Sequence, residues 1–135
     1  LRIKQDFVTN SSSTSFLVVC RKELTAENFI NNLWNSGLGD KIKEKLIRDV
    51  NDHGFPFKEG LHDIHAYSDD TDSLFSQLFY YFDELWWNKI LTDNTSFAMR
   101  EGCCVESLME DLEYVDEIKK DFSLEFQHVI DNYIK

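Results

Sequence analysis

His62-Asp63-Ile64-His65 sets two imidazoles three residues apart. On a helix that spacing puts both on one face, where they could ligate Zn²⁺ or iron. Cys103 and Cys104 offer soft ligands from elsewhere in the chain. Against a metal, neighbouring cysteines point apart in regular structure, and no spacing indicates a third and fourth ligand. The same thiols, with His65 or His128 as base, have the residue types of a thiol nucleophile. Free cysteines are more often buried hydrophobes, which is the expectation here. Ser11, Ser12, Ser13 and Ser15 are hydroxyl nucleophiles by type, but no elbow motif surrounds them and no base is evident. Asp69, Asp70 and Asp72 lack the central Gly and closing Glu of a calcium loop, so helix capping explains them better. There is no phosphate-binding loop and no dinucleotide fingerprint. No cofactor is expected.

The stronger signal is charge. The formal net charge is −11, and the second half of the chain carries it. Glu106, Glu110, Asp111, Glu113, Asp116 and Glu117 recur on the outer face of a helical pattern. Phosphate backbones attract basic surfaces, so direct nucleic-acid binding by this half is disfavoured. Its natural partner is a basic protein surface, including a nucleic-acid-binding one. Tyr80, Tyr81 and Trp87, beside Asp83 and Glu84, have the composition of a contact hot spot with an acidic rim. Core packing is the plainer reading of the aromatic cluster, and solubility that of the charge.

These side chains need elements to carry them. Residues 15–20, Ser-Phe-Leu-Val-Val-Cys, read as a buried strand, and residues 1–8 as a second short one. The hydroxyl- and amide-rich residues 9–15 would then connect the two. Thr25 is the expected N-cap of a helix burying Phe29, Ile30, Leu33 and Trp34, with Leu24 and Phe29 spaced as a hydrophobic staple. Gly37 suits its end. Asp40 is the expected cap of a second helix, with Ile42, Leu46, Ile47 and Val50 inward and Lys41, Lys43, Lys45 and Arg48 outward. Gly54 and Pro56 close it. A short strand is expected within Gly60–Tyr67. After a cap among residues 68–73 comes a helix with a wide apolar stripe from Leu74 to Ile90. Asp93-Asn94 marks a turn, Ser96–Arg100 a strand, and Gly102 its end. From Val105 to Tyr133 the apolar spacing stays helical, either as one helix or as two with a break near Asp121–Ser123.

With 135 residues, 42% of them hydrophobic and 14% aromatic, the chain can bury a real core, and one domain spanning 1–135 is expected. Three cysteines, two of them adjacent, argue for reduced thiols and a cytoplasmic setting. No apolar run approaches the roughly 20 residues needed to cross a bilayer.

One stretch resembles known proteins. Residues 2–19 run from Arg2-Ile3-Lys4 through Phe7-Val8-Thr9-Asn10-Ser11-Ser12-Ser13-Thr14-Ser15-Phe16 to Val19. They resemble the opening of many small uncharacterised bacterial and phage proteins. Those begin with a basic-apolar alternation, then Gly-Phe-Val, then Asn and a serine run ending in Phe. Here Asp6 stands at the usual Gly, and Thr replaces Ser at positions 9 and 14. The resemblance implies a phage or mobile-element origin and no particular activity.

The sequence therefore predicts a mainly helical α+β domain with a small antiparallel sheet built from the N-terminal strands. The favoured function is that of a non-enzymatic acidic interaction protein of inhibitor or immunity type, with nucleic-acid mimicry as a special form. Two alternatives stand beside it. One is a small metal- or thiol-dependent enzyme using His62, His65, Cys103 or Cys104. The other is an oligomeric structural protein meeting its copies through the aromatic helix.

Overall fold

The computed structural model describes residues 13–33, 39–67, 72–80 and 96–134. Within them the fold is α+β, with a three-stranded antiparallel sheet and six helices. The sheet order is β2-β1-β3, with β1 (Ser13–Cys20) central, β2 (Gly60–Tyr67) on one side and β3 (Phe97–Glu101) on the other. Ser15 lies opposite His65 and Val18 opposite His62, while Phe16 meets Glu101 on the other side.

Alternation along β1 divides the interior in two. Phe16, Val18 and Cys20 belong to one hydrophobic cluster, and Leu17 and Val19 to the other. The first cluster is closed by α1 (Ala26–Leu33), α2 (Asp40–Asn51) and α3 (Leu74–Tyr80). The second is closed by α4 (Val105–Glu110), α5 (Leu112–Lys119) and α6 (Leu124–Ile134). A strand covered on both faces must be apolar at every position, which explains the unbroken run Phe16–Cys20. Phe29 anchors the first cluster, with its ring centroid 4.9 Å from Phe55, 5.5 Å from Phe97 and 6.0 Å from Phe75. Tilted ring pairs at such distances add to burial.

Local chemistry sets the boundaries. Thr25 Oγ1 accepts from the Asn28 amide at 3.2 Å, the cap expected of it. Leu24 and Phe57 exchange backbone hydrogen bonds of 2.8 and 2.9 Å, closing the chain that leaves α2 onto the chain that enters α1. Ser73 Oγ accepts from the Ser76 amide at 3.1 Å, so Ser73 caps α3. Asp49 of α2 adds a 2.6 Å bond from the Leu74 amide, joining the two helices. Gly102, with φ +82, ends β3 in a conformation that side chains disfavour.

Several expectations change. The strand expected from Ser15 begins two residues earlier, at Ser13, so Ser13 and Thr14 leave the expected connection and join β1, because pairing with β2 continues as far as Tyr67. Asp40 is not the cap of α2. Gly39 holds that position without a side-chain bond, and Asp40 opens the helix. Ile42, expected inside, is exposed one turn before the buried Leu46. The helical pattern over 105–133, expected to give one or two helices, forms three. The break near Asp121–Ser123 is present, and a second falls at Asp111. Met109 and Leu112, both on the expected apolar face, are exposed as a result. The expected strand at 1–8, Trp34, Gly37, the helix beyond Tyr80 and the Asp93-Asn94 turn lie outside the described residues.

Candidate interaction surface and polar cluster

Asp111 creates the corner between α4 and α5. Its backbone is extended (φ −137, ψ 101), and its Oδ1 accepts from the amides of Glu113 at 3.1 Å and Tyr114 at 3.3 Å. A carboxylate bonded to the first amides of a helix is held by capping and by the positive helix end. Asp111 is therefore a structural carboxylate as well as an exposed one.

The other carboxylates around this corner are uncommitted. Glu106, Glu110, Glu113, Asp116 and Glu117 are exposed. None has an ion pair among the described residues. Lys119, the nearest cation in sequence, is drawn to Asp131 of α6 at 2.6 Å. Asp121 lies at the edge of the group and is taken by Arg100 at 2.9 Å. Glu106 and Glu110 are one helical step of four apart, as are Glu113 and Glu117. Like charges at that spacing cost an isolated helix roughly 0.2–0.5 kcal/mol per pair. Met109 (51% exposed) and Leu112 (68% exposed) stand on either side of the same corner. Sequence reasoning found these carboxylates but missed the two apolar residues beside them. Only the cap at Asp111, which interrupts the helical phase, could have revealed them.

Tyr81 and Trp87 lie outside the described residues, as does the side chain of Tyr80, whose backbone ends α3.

The two histidines are on a strand, not a helix, and three residues along a strand reverse the face. His62 stacks on Phe57 (centroids 4.4 Å apart, planes 5° apart), and its Nε2 donates to the Lys58 carbonyl at 2.6 Å. His65 lies on the other face, with Nδ1 at 3.0 Å from Ser15 Oγ. The cysteines separate likewise. Cys103 is buried in the second cluster, while the Cys104 thiol lies 3.1 Å from Ser107 Oγ. Among the described residues, no group of three or more His, Cys, Asp or Glu is placed to hold a metal ion.

Burial pushes the Cys103 thiol up to about 11 and the Cys20 thiol up to about 12, so both are protonated and poor nucleophiles at neutral pH. The Tyr114 phenol lies within electrostatic reach of Cys103 and Arg100. Burial works against the charge on Arg100, but the hydrogen bond and charge of Asp121, together with nearby Tyr114 and Cys103, outweigh it and hold the guanidinium above its ordinary value. Burial, with Cys103 alongside, raises the Tyr114 phenol. The Arg100–Asp121 pair ties the turn that follows α5 to β3.

Comparison with protein-family models, curated proteins and solved structures finds no match. No helix among the described residues is long and apolar enough to cross a membrane.

Proposed function

We propose that this protein is an acidic interaction module that occludes a basic surface on a partner protein. The carrying observation is the set of five exposed carboxylates on α4 and α5 with no ion pair among the described residues, while Lys119 is held elsewhere. Unpaired like charges side by side cost the free protein stability, and a cationic partner relieves that cost on contact. Met109 and Leu112 supply apolar contact area within the charged frame. A nucleic-acid-binding protein is the preferred partner, because a surface shaped for phosphates also accepts carboxylates. An inhibitor or immunity-type role in a phage or mobile element fits both this chemistry and the opening residues 2–19.

The test compares the protein with a Glu110→Lys/Glu113→Lys/Asp116→Lys variant, each immobilised and exposed to bacterial lysate. The expected result is retention of a basic protein by the unaltered chain alone, with release by raised salt and displacement by added duplex DNA. Identical capture by both forms would refute the reading.

A further inference from the structure

The fold gives Ser15 the base that its sequence neighbourhood lacks. Ser15 and His65 are fifty positions apart in the chain, yet the β1–β2 register sets them directly opposite. Ser15 Oγ lies 3.0 Å from His65 Nδ1, within reach for proton transfer, and both residues are only half-buried.

Both are held in place. The Ser15 carbonyl accepts from the Gly102 amide at 2.9 Å, so the central strand is bonded on the β3 side at this residue. Tyr67 stacks beside His65 with centroids 6.4 Å apart. Asp63, two residues earlier on the same face of β2, accepts from the Val105 amide at 2.7 Å and fixes the strand against the start of α4. An imidazole whose Nδ1 accepts a hydroxyl proton carries its ring proton on Nε2.

We propose that Ser15 is a nucleophile toward small acyl esters, with His65 as its general base. Oγ attacks the carbonyl carbon and forms a C–O bond as its proton passes to Nδ1. The tetrahedral adduct expels the alcohol, which takes that proton, and the acyl group remains on Oγ. Water then adds to the acyl carbon, giving a proton to Nδ1. The acid leaves as Oγ regains the proton. This activity is separate from the docking surface, which lies on α4 and α5.

The probe is p-nitrophenyl acetate, read by nitrophenolate release and by peptide mapping of the acetyl group. The expected result is acetylation at Ser15 in the unaltered protein. Ser15→Ala removes that adduct, and His65→Gln slows it about 100-fold. Melting curves establish that each variant is folded. Acetyl groups found only on lysines or Cys104, or none at all, would overturn the proposal. So would acetylation at Ser15 that proceeds undiminished in a folded His65→Gln variant.

Discussion

Replacing Glu110 with lysine should make the protein more stable while weakening its contact with a basic partner. Glu110 is the last residue of α4 and is exposed, four residues after Glu106. The substitution removes a like-charge pair and sets an opposite charge four residues after Glu106, with the acidic residue on the favoured N-terminal side. Each change is worth roughly 0.2–0.5 kcal/mol. A cation at a helix C-terminus adds about 0.3 kcal/mol, the low end for a helix of so few turns. Together they give about 1 kcal/mol, which for a domain of this size raises Tm by roughly 4 °C. The assay is thermal unfolding followed by circular dichroism at low salt and again at about 1 M salt. There the screening length falls to about 3 Å and the difference should largely vanish. A variant that melts lower, or a gain that salt leaves intact, would refute the view that these carboxylates are held against the interest of stability.

Phe29→Ala removes the ring that meets Phe55, Phe75 and Phe97 and should cost about 3–5 kcal/mol, read from urea unfolding. A cost below about 1 kcal/mol would mean that this cluster is not the main anchor. Ser76 is fully buried, and its hydroxyl finds no partner among the described residues. Ser76→Ala should therefore raise the urea midpoint, by about 1 kcal/mol in stability, since an unmet buried hydroxyl costs that much or more. In alkali, native Cys103 and Cys20 keep their protons to about 11 and about 12, whereas a thiol at its ordinary 9.0 has already lost its own. The folded state binds more protons in that window, so stability is complete below pH 9 and declines as pH rises above it. Urea midpoints measured from neutral pH upward should fall, and Cys103→Ala should blunt the fall.

Much of the fold is readable because its patterns are local. Gly60–Tyr67 and Phe97–Glu101 alternate or run apolar between turn residues, and Thr25 sits where a cap belongs. The break at Asp111 is hidden because Leu108, Leu112 and Val115 keep helical spacing across it, and one carboxylate among many gives no sign that it is a cap. Only the cap's extended backbone turns Leu112 outward. The first two residues of β1, Ser13 and Thr14, are illegible because hydroxyl residues signal turns, and the partners that make them strand residues, Tyr67 and Ala66, lie more than fifty positions on. His65 as the neighbour of Ser15 depends on strand register, which no single-chain pattern specifies. His62 and His65 would share a face only on a helix; in the strand expected within Gly60–Tyr67 and found there, they face apart.

Five consecutive residues of β1 serve two separate interiors, each lined by its own set of helices. A volume change at any of them must be absorbed by one helix set without moving the backbone on which the other rests, so this strand has little freedom to drift. The outward side of the α4–α5 corner has no such obligation apart from Asp111. Its charges and apolar residues can be exchanged one at a time while the scaffold stays intact. A lineage could thus remodel that surface alone, and with it the proposed contact, keeping the same central strand throughout.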